Sequence, residues 1–239
     1  MDSLAPQSRP APRSGVQTLD RGVAILDAIA HHGPRTLADL VRDTGLARPT
    51  AHRLAVALET HALVVRDREG RFRLGARLAG WGAAAGAALA LVEPARAVLQ
   101  RLSADTGESA QLYVREGDQR VCVATHERPT GLRDTVALGA VLPLTNGAGG
   151  RVLLAGAEDA ARFEVAPAAL AAVREAGWAA TVGEREAGVA SVSAPVRIGD
   201  QVVGAVSVSG PAERLGPDPG SRIAGSDLAA AADLARAGS

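Results

Sequence analysis

The sequence predicts an α+β fold with a largely antiparallel sheet, preceded by a small helical part. Three observations predict it. Strand-length apolar runs are interrupted by helical patterns and joined by links of hairpin length. Three helical patterns and one short hairpin come before any long strand. The chain has 239 residues, 47% of them hydrophobic, enough for a packed core in one large domain or two modest ones. Aromatics are only 2%, so that core must be mostly Ala, Val and Leu.

Residues 1–15 hold three prolines and no apolar periodicity, and read as a disordered tail. The pattern "LDRGVAILDAIAHH" then places Leu19, Val23, Leu26 and Ile29 on one broad helical face, with Ile25 at its edge. "HGP" ends it. In "TLADLVRDTG", Thr36 is the N-cap candidate, Asp39 stands at the capping-box position and Gly45 is the stop. The stretch "TGLARPTAHRLAVALE" is a third helix, and Pro49 dates its start to Ala47–Arg48, because proline is tolerated in a first turn. "ALVVRDREGRFRLG" makes two short strands around Glu69–Gly70, with Leu63, Val65, Phe72 and Leu74 as the apolar set. These elements form a domain over residues 16–75.

Ala76 to about Ala90 is helical by elimination, alanine-rich with Gly80, Gly82 and Gly86 as weak points, so residues 76–91 read as a linker. Residues 92–239 form the second domain. It opens with the helix "EPARAVLQRLSADTG" and the strands "SAQLYVREG" and "QRVCVATHE". A strand near "DTVAL", a loop-to-helix passage "PLTNGAGGRVLLAG" and a helix "APAALAAVREAGW" follow. The strands "GVASVSAPVRIGD" and "QVVGAVSVSG" meet at the turn Gly199–Asp200, and a final helix runs from roughly Gly225 to Ala237.

The third helix carries the chemistry of the first domain. On a 3.6-residue period Ala47, Ala51, Leu54, Ala55 and Leu58 face inward. Arg48, Pro49, Thr50, His52 and Arg53 then face outward at the N-terminal turns. A helix that follows another across a short glycine-containing turn, and shows such side chains at its start, matches a helix-turn-helix entering a major groove. Arginine can donate bidentately to guanine, while Thr and His reach bases or phosphates. The hairpin behind it carries Arg66, Arg68, Arg71 and Arg73, which suits a wing along a phosphate backbone, chiefly through Arg68 and Arg71. The competing reading is an amphipathic helix with a solvated face. Charge distribution agrees with a polyanion partner for the first part. Residues 1–77 carry 12 Arg against 8 acids, and the rest carries 14 Arg against 18 acids.

These residues, together with "GRFRLG", "TGESAQLYVREGDQRVCVA", "LPLTNGAGGRVLLA", "GEREAGVASVSAPV" and "AVSVSGPAERL", resemble the IclR family of transcriptional regulators. The likeness runs from about Gln17 to Ala237, with the motifs in the family's order, and is nearest to the branch controlling amino-acid metabolism, including leucine biosynthesis. It implies a winged helix-turn-helix on double-stranded operator DNA, a linker helix used in dimerisation, and a C-terminal GAF-like effector-binding domain. A single recognition helix reads few base pairs, so a homodimer or dimer of dimers is expected. One departure stands out: the segment Glu158 to Pro167 is shorter than in the family.

"PLTNGAGGRVLLA" opens a helix at Asn146–Gly147. Free N–H groups and the helix dipole there favour an anion. No Gly-Lys-Ser/Thr follows, so it is not a P-loop. By resemblance, Gly147 and Ala148 match positions that cradle an effector carboxylate; glycines for close helix–sheet packing are the alternative. Alternation puts Ser191 with Ser193, and Ser207 with Ser209, on common strand faces. By resemblance Ser191, Ser207 and Ser209 contact the effector, and Thr181 stands where some members carry aspartate. The alternative is strand serines bonded to neighbouring backbone. The Asn146–Gly147–Ala148 helix end and these serines predict a small carboxylate ligand, an amino acid or biosynthetic intermediate; leucine or a branched-chain relative is what the family resemblance alone implies.

Other constellations are weaker. Cys122 and His126, four apart on a strand, would share a face and could form a nucleophile pair for an enzyme built on the second domain, such as a hydrolase. A small buried thiol is the plainer reading, and no G-x-S-x-G elbow is present. Glu184 and Glu186 are a carboxylate pair or a solvated loop. One cysteine excludes a disulfide framework and a multi-cysteine zinc site. No catalytic residue, metal site or cofactor is assigned. No secretory signal or spanning segment is visible, which predicts a soluble cytoplasmic protein with no membrane partner.

Overall fold

The computed structural model describes residues 15–84 and 91–238, and these fall into two compact units divided after Ala84. The expected tail lies almost wholly outside the described residues, as do Gly86 and Ala87 of the expected linker.

In the first unit, helices α1 (Gln17–His32), α2 (Leu37–Thr44) and α3 (Arg48–Thr60) pack on one another. Their shared core is Ile25, Ala28, Ile29, Leu40, Ala55, Val64 and Phe72. The expected face of α1 is corrected. Leu19 and Val23 are 58% and 42% exposed, and the buried stripe is Ile25, Ala28 and Ile29. Two adjacent apolar stripes satisfy the same period, and α2 and α3 cover only one. The α2 signals hold as read: Thr36 Oγ1 accepts from the Asp39 amide at 3.2 Å, Asp39 Oδ2 accepts from the Thr36 amide at 3.1 Å, and Gly45 closes the helix at φ 67°. Pro49 does sit in the first turn of α3, but Ala47 is exposed rather than inward.

Strands β1 (Val64–Arg66) and β2 (Phe72–Leu74) pair antiparallel. The register sets Val64 opposite Leu74, and Val64 is the buried residue. The expected Leu63/Val65 alternation was therefore one residue out of step. Arg35 supplies a further backbone pairing, exchanging hydrogen bonds of 2.8 and 2.7 Å with Phe72. Helix α4 (Arg77–Ala84) ends the unit, with Arg77 donating to the His61 carbonyl at 2.9 Å.

The second unit is a six-stranded sheet of β3 (Ser109–Glu116), β4 (Gln119–His126), β5 (Val141–Pro143), β6 (Ala179–Val182), β7 (Val189–Ile198) and β8 (Gln201–Pro211). Its order is β5-β4-β3-β8-β7-β6, with antiparallel neighbours throughout. Helices α5 (Val92–Thr106) and α9 (Pro219–Gly238) cover one face, with Leu99, Val192, Val208 and Leu234 between them and the sheet. Helices α6 (Ala148–Ala155) and α7 (Pro167–Ala176) cover the other, over Tyr113, Cys122, Ala179 and Ala205. The alanine-rich helices can lie close to a sheet whose inward residues are Ala and Val.

Three expectations change. "DTVAL" is not a strand: only Gly139 and Ala140, just beyond it, bond to Cys122, while the edge of β4 pairs with β5. Strand β6 and the short helix α8 (Ala212–Leu215) were not anticipated. Helix α9 begins at Pro219, earlier than expected. No helix among the described residues is long and apolar enough to cross a membrane.

Candidate nucleic-acid interface and effector site

The start of α3 presents Arg48, Pro49, His52 and Arg53 to solvent, with Thr50 half-buried. Behind them Ala51 and Ala55 are fully buried and Leu54 and Leu58 pack at the edge of the core. The helix is thus fixed on one side and bare on the other. Among the described residues neither Arg48 nor Arg53 has a carboxylate partner. The hairpin arginines divide into two kinds. Arg71 donates to Asp67 at 2.8 Å and to Glu69 at 3.2 Å, so its charge is spent on the turn. Arg66 pairs with Glu59 at 3.2 Å and lies over the Phe72 ring. Arg68 and Arg73 are exposed and unpaired among the described residues.

On the α6 face of the sheet, polar side chains line up in two ranks across the strands. Thr181, Ser191, Ser209 and Ser109 are successive partners in one rank. Ser193, Ser207, Gln111 and Thr125 are successive partners in the next. Thr181 and Ser191 are bonded at 3.0 Å, and Ser193 and Ser207 at 2.6 Å. Ser207 donates to the Val192 carbonyl at 3.0 Å, so Ser193 is the donor to Ser207. Ser209 donates to Gln111 Oε1 at 3.0 Å. The serines are therefore largely satisfied within the sheet. The groups left open are Gln111 Nε2 and Thr125 Oγ1, buried and without a partner among the described residues.

Helix α6 stands on this floor. Gly147 is its N-cap at φ 82°, a left-handed conformation that favours glycine. A Cβ at Gly150 would lie 2.1 Å from the Leu144 carbonyl, so that glycine serves close packing. The close-packing reading of the glycine-rich loop therefore holds at Gly150, while Gly147 is glycine for its backbone angle. Asn146 contributes its carbonyl, which accepts from Arg120 at 2.6 Å, and Ala148 is buried. Arg120 is 3% exposed, stacks over Tyr113 and has no carboxylate partner among the described residues. Arg185, from the β6–β7 loop, is ion-paired to buried Asp134. Glu184 accepts from the Gly147 amide at 3.2 Å and pairs with Arg151. Sequence reasoning missed Gln111, Arg120 and the Arg185–Asp134 pair. Only Gln111 left a trace, as a polar residue at an inward position of an apolar strand.

Family models match along this arrangement. Residues 18–68 match the IclR helix-turn-helix domain, and residues 84–167 and 164–236 match the bacterial transcriptional regulator IclR C-terminal domain. The glycerol operon regulatory protein of Streptomyces griseus is 33% identical over 227 residues, covering 85% of this chain and 88% of its own. The chain belongs to the IclR family of transcriptional regulators. The Escherichia coli repressor AllR is 27% identical, covering 89% of this chain and 86% of its own. A solved regulator structure from Rhodococcus sp. RHA1 is 31% identical with a TM-score of 0.66, covering 93% of this chain and 98% of its own.

Membership of the IclR family makes this a DNA-binding regulator of metabolic genes and not an enzyme. It does not support the amino-acid branch, because the relatives' names point to glycerol and to AllR. The nucleophile pair is also corrected. A β-bulge in β4 sets Cys122 opposite Tyr113 but Ala124 opposite Leu112, which turns Cys122 and His126 to opposite faces. Burial pushes the Cys122 thiol up to about 12, so no thiolate forms near neutrality. The IclR C-terminal match is made in two pieces that overlap at residues 164–167, at the end of the segment Glu158 to Pro167. There a short turn at Ala160–Arg162 is held by Arg115 on Asp159 at 2.7 Å.

Proposed function

We propose that this IclR-family protein is a ligand-responsive repressor or activator that reads an operator with α3 and senses a small carboxylate metabolite with the α6 face of its second unit. Residues 16–75 serve as the DNA-binding domain, 76–91 as the linker used in dimerisation and 92–239 as the effector domain. The observation that carries the reading is the unpaired Arg48 and Arg53 on the exposed first turns of a helix whose other side is buried. Arg48, Pro49, Thr50, His52 and Arg53 meet the major groove, and the wing meets phosphate. Arg68, with Arg73, is the better phosphate contact, because Arg71 is occupied by Asp67 and Glu69.

Asn146, Gly147 and Ala148 supply the anion end of the effector site, and Ser191, Ser207 and Ser209 part of its floor. The buried polar floor favours a ligand with hydrogen-bonding groups. To act on transcription the ligand must prefer one arrangement of the DNA-binding parts, since equal affinity for both shifts nothing. Mapping bound genomic fragments and then titrating the protein against the strongest site tests the reading. Arg48→Ala and Arg53→Ala should each cost about 1–3 kcal/mol at that site and little on random duplex. Wild-type binding no tighter to the mapped site than to random DNA at moderate salt would refute it.

A further inference from the structure

The anion position at the start of α6 is already filled by the protein's own chain. The Gly147 amide donates to Glu184 Oε2 at 3.2 Å, and Arg151 donates to the other oxygen of the same carboxylate. Glu184 lies in the β6–β7 loop, which begins at Gly183 with φ +72° and ends at Gly188 with φ +80°. Both angles are ones that glycine leaves and regains at little steric cost. Among the described residues the Glu184 carboxylate bonds to Gly147 and Arg151, and the neighbouring Arg185 is ion-paired chiefly to Asp134 of the β4–β5 connection.

An independent observation on the same face points to a ligand. Gln111 is fully buried, its Oε1 taken by Ser209 and its Nε2 without a partner among the described residues. Turning the amide over does not help, because the Ser209 hydroxyl can donate or accept and one end of the amide still remains open. Thr125, opposite Gln111 in register, has a buried hydroxyl in the same condition. A buried amide and a buried hydroxyl on paired residues, both without a partner among the described residues, call for a polar occupant.

We propose that Glu184 is a built-in competitor for the effector's carboxylate, so that ligand binding exchanges one carboxylate for another at the start of α6 and releases the Gly183–Gly188 loop. This rests on reading the α6 face as the effector site. The exchange keeps one negative charge on the helix end and on Arg151, so the helix dipole is satisfied in both states. Its cost is the occupancy of the internal carboxylate, which lowers apparent affinity by the fraction of open sites. Glu184 is next in sequence to Arg185, whose ion pair with Asp134 gives a movement of the loop a route to the β4–β5 connection.

The chain offers a direct probe. Asn146 is the only asparagine in the sequence, so full-length protein labelled with carbonyl-13C asparagine and 15N glycine yields a single linked resonance, that of the Gly147 amide. In the wild type this amide should be shielded from solvent exchange. Glu184→Gln should weaken the protection and Glu184→Ala should abolish it. Sodium formate, titrated as the smallest carboxylate, should then restore a wild-type-like resonance in Glu184→Ala at a concentration at least tenfold below that needed to perturb the wild type. Equal formate midpoints in both proteins would overturn the competition while leaving the anion site standing. An unprotected wild-type amide would also overturn it. No response to formate in either protein would remove the anion site itself, and the inference with it.

Discussion

Asp227 is fully buried in α9, and neither of its carboxylate oxygens has a well-formed hydrogen bond among the described residues. Burial outweighs the one backbone contact from Val208 and holds its pKa well above the ordinary carboxylate value. The linkage follows in sign. Below the unfolded pKa of about 3.9 both states are protonated and nothing is lost; above it only the unfolded chain ionises, so stability falls as pH rises towards the folded pKa. Asp227→Asn should flatten that decline, and urea midpoints measured from about pH 4 to pH 8 check it. An unchanged slope would assign the pH dependence elsewhere. Residues of the candidate sites are unevenly legible in the sequence. Arg48 and Arg53 announced themselves because an exposed helix start needs no tertiary partner to be recognised. Arg120 did not, because a buried arginine resting on Tyr113 and two carbonyls has no local signature.

At the scale of elements, the wing is built by one aspartate. Asp67 Oδ1 accepts from the Glu69 and Arg71 amides at 3.1 and 2.8 Å, and Gly70 completes the turn at φ +76°. Arg68→Ala and Arg73→Ala should therefore each reduce the salt dependence of DNA binding by about one counterion, with little loss of sequence preference. Arg71→Ala should instead lower the stability of the hairpin, read as faster amide exchange at β1 and β2. Helix α2 carries a second testable device. The Thr36 bonds, then Arg42, hold the Asp39 carboxyl at about 2. Its stabilisation is present above the unfolded value of about 3.9 and is lost as pH falls towards 2. Asp39→Asn should thus be less stable than wild type at neutral pH, with the gap closing in thermal melts between about pH 4 and pH 2. Both helix caps were readable because they use bonds between residues three or four apart. The parity of β1 was not, since three-residue strands give too little alternation to distinguish Val64 from Val65.

At the scale of the molecule, Val16, Leu19 and Val23 follow i, i+3, i+7 spacing along α1 and are 59%, 58% and 42% exposed. Trp81 on α4 is 53% exposed. A single recognition helix reads few base pairs, so two-fold pairing on a pseudo-palindromic operator is expected, and this apolar material is where the first unit would self-associate. Sedimentation should show a dimer or a dimer of dimers. A fragment of residues 16–90 should associate weakly, and Leu19→Asp with Val23→Asp should dissociate it. A monomer for both full chain and fragment would contradict the pairing.

Local pattern in the sequence was enough for the architecture: a small helical unit with a hairpin, an antiparallel sheet unit with helices, and an exposed basic start to α3. Those properties rest on period, caps and turn residues, which are local. Packing and register decide which of two apolar stripes on α1 is covered, that a bulge turns Cys122 away from His126, and that serines from three strands fall into ranks. It alone brought Glu184 onto the amide of Gly147, 37 residues away in sequence. Pairings between distant strands and loops depend on register and packing across the whole sheet, and no periodicity within one segment encodes them.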